Sequence, residues 1–156
     1  MPKPIIWVLV ADAARARVFQ VEQPQQTLAP ALGQELIGSN LESREIASDR
    51  PGRSFDGGGQ GRHAMEPSTD PARHAQGEFA RAVVRLLDQK RESGLFDRLV
   101  VVAPPQFLGD LRAVMSQQLQ AAVGAEVAKD LSKLPLHELQ DHLRETLDAQ
   151  RPVGRG

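Results

Sequence analysis

The chain has 156 residues, of which 40% are hydrophobic and 25% charged, and its formal net charge is −1. This composition is typical of one globular domain with a hydrophobic core. The chain as a whole has no excess of positive charge that would favour nucleic-acid binding. The chain has no cysteine, which excludes disulfides, thiolate metal sites and cysteine nucleophiles.

The first apolar run follows Lys3 and spans residues 5–11. It allows two interpretations, a short signal peptide or a buried strand. Asp12 ends the run after about seven residues, which is the low end for a signal peptide, so a strand is favoured. No run approaches the roughly 20 apolar residues of a membrane span. We therefore expect a cytoplasmic protein without a membrane partner.

The first forty residues predict strands. The run Ile5–Val10 resembles a central strand that is covered on both faces. After the short connection Asp12–Ala14, residues Arg15–Val21 alternate polar and apolar, so the two segments predict a β-hairpin. Pro24–Pro30 predicts a second turn, and Leu32–Ile37 a weaker third strand.

A long stretch without periodicity covers about residues 38–65. It exceeds the roughly 12–15 residues beyond which loops without secondary structure become uncommon. Its segment Ser54–His63 contains four glycines and little apolar surface. Such a loop is either a spacer or a site, because glycine lets other molecules approach the backbone closely.

The second half predicts helices that alternate with strands. Asp70-Pro71 is a strong helix start, and an apolar face follows at Phe79, Val83, Leu86 and Leu87. Gly94 is a good stop.

A buried strand at 99–103 is ended by Pro104-Pro105. A second helix is marked by 107–115, a weak strand by 122–128 and a third helix by 136–147. We predict a single α/β domain over residues 1–149, with a mixed sheet of about five strands and about three helices. Residues 150–156 are expected to form a flexible tail.

Three residues around the first hairpin are candidate binding residues. Asp12 follows a central strand at the end where α/β sheets usually bind ligands. Arg15 and Arg17 share one face of the second strand and form either a small basic strip or a solvated face. The alternative for Asp12 is that it fixes the turn through backbone contacts.

Other chemistry has weaker support. His63 can act as a general base near neutral pH, or it can simply pair with a carboxylate such as Glu66. The sequence has no zinc-protease motif, no serine-hydrolase elbow and no phosphate-binding P-loop, so neither a metal site nor a cofactor is expected.

Five separated motifs, in order, resemble the bacterial host attachment protein family. The resemblance covers nearly the whole chain and implies no known chemistry. The motifs are Val10-Ala11-Asp12 followed by Arg15-Ala16-Arg17, then Gly52–Asp56, Arg62–Pro67, Phe96–Pro105 and Lys129–Leu131.

That family is in turn similar to the middle domain of eukaryotic and archaeal translation release factors, so a release-factor-like fold is expected. In release factors a Gly-Gly-Gln loop precedes a long helix and enters the peptidyl-transferase centre. Gly58-Gly59-Gln60 has the same relative position here. The resemblance implies that the backbone N–H of Gln60 would stabilise negative charge during peptidyl-tRNA hydrolysis, while Arg53 and Arg62 would neutralise RNA phosphates.

Three hypotheses follow for the function. The chain is an RNA- or ribosome-contacting module that uses the glycine-rich loop, a peptidyl-tRNA hydrolase that uses Gly58, Gly59 and Gln60, or an attachment-related protein that meets a protein partner. A DNA partner is not expected. The length leaves no room for codon-reading domains, so stop-codon recognition is not expected either.

Overall fold

The computed structural model describes residues 3–38 and 70–150, and within them one six-stranded sheet lies between two layers of helices. The strands are β1 (Ile6–Ala11), β2 (Arg15–Glu22), β3 (Thr27–Pro30), β4 (Leu36–Ile37), β5 (Arg98–Val102) and β6 (Val123–Val127). The helices are α1 (Pro71–Glu92), α2 (Pro105–Val114), α3 (Gln117–Ala122), α4 (Leu136–His142) and α5 (Arg144–Ala149). The predicted α/β class and mixed sheet are confirmed.

The sheet combines an antiparallel half with a parallel half. Its order is β3-β2-β1-β5-β6, and β4 pairs with β2 on the same side as β3. β1 and β2 form the predicted antiparallel hairpin, with Ala11 opposite Ala16. β1, β5 and β6 run parallel, with Val8 opposite Val100. Their carboxyl ends therefore meet at one edge of the sheet, which we call the carboxyl edge.

The central strand β1 is buried on both faces, as its continuous apolar run predicts. Trp7 and Leu9 pack with Phe79 and Leu111 beneath α1, α2 and α3. Ile6, Val8 and Val10 pack on the opposite face with Leu139 and Leu147 from α4 and α5. Because alternate residues of a strand point to opposite faces, this one strand contributes to both cores.

Helix α1 starts and stops where the sequence predicts. The Asp70 side chain accepts a hydrogen bond from Ala72 N at 3.1 Å, and Gly94 has φ +81° just after the helix. Asp97 N then donates to the Ile5 carbonyl oxygen at 2.7 Å, which places the end of α1 near the amino end of β1. A helix of 22 residues is about 33 Å long. Its N-terminus therefore lies towards the carboxyl edge.

Two local predictions are wrong. Residues 24–30 were expected to form only a turn, yet the strand β3 occupies Thr27–Pro30. The apolar series from Leu136 to Leu147 was expected to mark one helix. It forms two, separated at Leu143, whose φ and ψ are −102° and 6°. The short helix α3 was not predicted as a separate helix. Ser116 caps it by accepting a hydrogen bond from Leu119 N at 3.0 Å. The described residues therefore hold five helices instead of about three.

Candidate functional site

The carboxyl edge gathers the polar residues that follow the parallel strands. Asp12 follows β1 directly, and Asp130 and Ser132 lie in the loop between β6 and α4. In α/β sheets this edge is where ligands usually bind. We therefore take it as the candidate site.

Asp12 holds the turn of the first hairpin. Its Oδ1 accepts hydrogen bonds from Ala14 N at 2.8 Å and Arg15 N at 2.9 Å. Asp12 N in turn donates to the Arg15 carbonyl oxygen at 2.9 Å. This geometry is that of an Asx turn, the structural alternative considered for Asp12.

The second carboxylate oxygen of Asp12 connects the hairpin to the loop after β6. Ser132 Oγ lies 2.7 Å from Asp12 Oδ2 and 2.9 Å from Asp130 Oδ1. Burial by itself would raise the pKa of Asp12. The hydrogen bonds from Ala14 N, the Ser132 hydroxyl and Arg15 N, with the positive charge of Arg15, outweigh it and lower the pKa below the ordinary aspartate value. Asp12 is thus a carboxylate at neutral pH that organises two loops.

Ser132 is not arranged as a nucleophile. Its side chain is buried, with 1% of the residue exposed, and its neighbours are two carboxylates. None of the three described histidines is hydrogen-bonded to the Ser132 hydroxyl, and His74 and His137 instead face Glu78 and Glu138 at 4.0 and 3.9 Å. An activated serine needs an adjacent base, commonly an imidazole. The cluster therefore fits a positioning role.

Arg17 holds the same loop through its backbone carbonyl groups. Its Nη1 donates to the carbonyl oxygens of Ser132 at 3.2 Å and Leu134 at 2.6 Å. Its guanidinium carbon lies 5.1 Å from the centre of the Phe19 ring, a cation–π contact. Arg17 is therefore a fixed, half-buried guanidinium.

Arg15 takes a different partner, so the two arginines do not form a continuous basic strip. Arg15 Nη1 pairs with Glu35 Oε2 at 3.4 Å, and the Arg15 side chain is 41% exposed. Two residues after β4 begins, Gly38 N donates to the Ala14 carbonyl oxygen at 2.9 Å. The chain therefore leaves the described part of the sheet beside the Asp12 turn.

Six predicted site residues lie outside the described residues. They are Arg53, Gly58, Gly59, Gln60, Arg62 and His63, and the predicted loop at 38–65 shares only Gly38 with the described part of the chain. The chain re-enters the described part at Asp70. The first residues of α1 are exposed from Pro71 to Ala75, and Phe79 is its first buried residue.

Sequence reasoning missed Ser132 and the role of Arg17 as a clamp. Asp130 falls within the motif Lys129–Leu131, but no spacing signal connects residue 12 with residue 132. The pairing arises from the parallel order of β1, β5 and β6, which brings the two loops to one edge.

The described residues give no support for a metal site or a membrane span. Over residues 3–38 and 70–150, no group of three or more His, Asp or Glu side chains is arranged to hold a metal ion. None of the helices in those ranges is long and apolar enough to cross a membrane.

Comparison with known families gives one match. The family model described as "Protein required for attachment to host cells" matches residues 7–143, which is most of the 156-residue chain. The chain therefore belongs to this host attachment family, as its motifs predicted. No curated protein matches it.

Proposed function

We propose that this host attachment family member contacts RNA, on the ribosome or in tRNA, through the glycine- and arginine-rich residues 50–63. One observation carries the proposal. The two described residues that flank positions 39–69 belong to the candidate site's edge of the sheet. Gly38 is bonded to Ala14 beside Asp12, and Asp70 caps the end of α1 that points towards the same edge.

Local charge supports an anionic target. The whole chain has a net charge of −1, yet residues 50–63 contain Arg50, Arg53 and Arg62 against a single acid, Asp56. Arginines bind phosphates through charge-assisted hydrogen bonds, and this contribution weakens steeply with salt.

The start of α1 is exposed and is held by an ion pair. Its first two turns extend beyond the core, and Arg73 there forms a bidentate pair with Asp110 of α2, with both N–O distances 2.6 Å. This pair ties the projecting end of α1 to α2. A target that approaches the carboxyl edge would therefore meet an ordered helix end.

Ribosome co-sedimentation over a salt series tests the proposal. The double variant Arg53→Ala/Arg62→Ala should weaken association and reduce the slope of log affinity against log salt by about 1.4–1.8, since each lost phosphate contact removes roughly 0.7–0.9. Arg144→Ala is the matched control, because Arg144 is an exposed arginine of α5, on the other side of the sheet from α1. No association at low salt would refute the proposal.

A second candidate function is peptidyl-tRNA hydrolysis. The resemblance to release factors favours it, since Gly58-Gly59-Gln60 precedes a helix that the structure shows to be 22 residues long. Gln60→Ala should then abolish release of the peptide from a peptidyl-tRNA, whereas Gln118→Ala, at an exposed position of α3, should not. Equal activity of wild type and Gln60→Ala would rule out the role of Gln60.

The description of the family suggests a third candidate, an attachment-related protein that meets a protein partner. Surface labelling of intact cells separates direct attachment from an indirect effect. A pool that is protected from the label would exclude direct contact with the host.

A further inference from the structure

A pocket of about 260 Å³ with a mixed polar and apolar lining lies beside the candidate site, next to Arg17 of β2. It forms where residues 31–35 run between β3 and β4, held by a hydrogen bond from Ala31 N to the Val18 carbonyl oxygen at 2.9 Å. Arg17, Phe19, Gln34 and Glu35 are among its lining residues. Pockets for drug-sized ligands are typically about 300–1,000 Å³, so this one suits a single planar base better than a whole cofactor.

Arg17 lines the pocket and keeps hydrogen-bond donors that the loop before α4 does not use. A guanidinium has five N–H groups, and the two on Nη1 are used by the carbonyl oxygens of Ser132 and Leu134. The structure gives the Nε and Nη2 groups no partner among residues 3–38 and 70–150, and Arg17 forms no ion pair with a carboxylate there. The side chain is also fixed by Phe19, so little conformational entropy is lost when the remaining fork binds a ligand.

Glu35 places an acceptor in the same pocket. Its Oε2 accepts from Arg15 at 3.4 Å, and Oε1 has no partner within the part of the chain that the structure describes. The side chain is 34% exposed. A carboxylate disfavours a phosphate in so small a pocket, so the ligand should present both acceptors to Arg17 and donors to Glu35.

We propose that this pocket binds a guanine base. Guanine presents O6 and N7 as a pair of acceptors, which is the pattern that arginine binds bidentately. Its N1–H and N2–H groups supply donors for a carboxylate. Adenine presents an amino donor where guanine has O6, so it would not match the Arg17 fork. The base can come from a free nucleotide or from single-stranded RNA, and the proposal does not depend on residues 50–63.

Calorimetric titration of the full chain tests the pocket. The probes are GMP, IMP, AMP, inorganic phosphate and two heptanucleotides of uridine with a central guanosine or adenosine. GMP should bind at least tenfold more tightly than AMP, since one good bidentate pair contributes about 1–3 kcal/mol of discrimination. IMP, which lacks the N2 amino group, should bind the wild type more weakly than GMP does. The Glu35→Gln variant should bind IMP and GMP with about equal affinity.

Two variants separate the pocket from the fold. Arg17→Lys keeps the charge but loses the fork, so GMP affinity should fall at least tenfold. Glu35→Gln should reduce it similarly, while Glu22→Gln, an exposed glutamate at the end of β2, should leave it unchanged. If Arg17→Lys unfolds, Glu35→Gln still tests the proposal.

The sources of the base are distinguished by the oligonucleotides. Preference for the guanosine-containing heptamer identifies RNA, and GMP binding without that preference identifies a free nucleotide. Absence of saturable GMP binding, equal affinity for GMP and AMP, or displacement of GMP by millimolar phosphate would each overturn the proposal. Failure of ribosome association alone would leave the GMP result unaffected.

Discussion

The Ser132 hydroxyl donates a hydrogen bond to the Asp12 carboxylate across 120 positions of sequence, with 2.7 Å between Oγ and Oδ2. The contact joins the turn after β1 to the loop before α4. Since Asp12 Oδ1 holds Ala14 N and Arg15 N at the same time, one carboxylate fixes two loops of the carboxyl edge.

Loss of this contact should destabilise the chain through both partners. Ser132→Ala removes the hydroxyl from a buried position, and Asp12→Ala removes the acceptor together with the turn contacts. Residues in one hydrogen-bond network show coupling energies of about 0.5–3 kcal/mol. A double-mutant cycle by urea unfolding should therefore give a coupling in that range. Strictly additive effects would mean that the two side chains act independently in solution.

The Asp12 carboxylate should contribute stability only when it is ionised. Its pKa is lowered in the folded chain despite the opposing effect of burial, because hydrogen bonds and Arg15 favour the charged form. The unfolded value is about 3.9. The contribution is therefore fully present above pH 4–5 and is lost as the pH falls through the folded pKa.

Asp12→Asn isolates this contribution. The difference in unfolding free energy between wild type and variant should be constant from about pH 8 to pH 5 and should shrink below about pH 4. Denaturant unfolding at each pH measures it. A difference that stays constant down to pH 2 would contradict the lowered pKa.

Arg17 should stabilise the loop that leads into α4 against local opening. Arg17→Met keeps apolar contact with Phe19 but removes both hydrogen bonds to the carbonyls of Ser132 and Leu134. Amide hydrogen exchange should accelerate over residues 131–136 and remain unchanged over β5. Arg85→Met on the exposed side of α1 serves as the control, and equal exchange in the two variants would argue against the clamp.

Two glycine substitutions should have opposite signs. Gly109 lies inside α2, and a Cβ added there would meet no atom within 4 Å. Gly109→Ala should therefore stabilise the chain by about 0.5–1 kcal/mol. Gly94 has φ +81° after α1, so Gly94→Ala should destabilise it by a comparable amount despite equally open space. Melting temperatures that move in the same direction would contradict this assignment.

Local signals in the sequence were sufficient for several elements. Asp70-Pro71 and Gly94 set the limits of α1, because caps and stops act within one turn of the backbone. The apolar run before Asp12 set β1, and the alternation after Arg15 set β2. The break of the last helical series at Leu143 was not predicted, because Leu139, Leu143 and Leu147 keep helical spacing across it.

The short-range contacts of the candidate site could be predicted from the sequence, whereas its long-range contacts could not. Asp12 was identified as a turn residue or a binding residue from its place after a strand, and its short-range bonds to Ala14 and Arg15 are the kind that sequence reveals. The hydrogen bond between Asp12 and Ser132 could not be predicted, since the sequence does not show which loop lies beside the Asp12 turn. The different partners of Arg15 and Arg17 were also hidden, because Glu35 and the loop before α4 come from distant positions in the sequence.

Patterns along the chain were enough to identify the family, the α/β class and the elements whose signals are local, because periodicity and capping depend on neighbouring residues. Tertiary packing brings the loops together at the carboxyl edge, joins Asp12 to Ser132 and places Arg17 and Glu35 in the lining of one pocket. Those relationships follow from the order of the strands in the sheet, which places distant loops beside each other. Strand order joins segments that are far apart along the chain, so no local pattern encodes it.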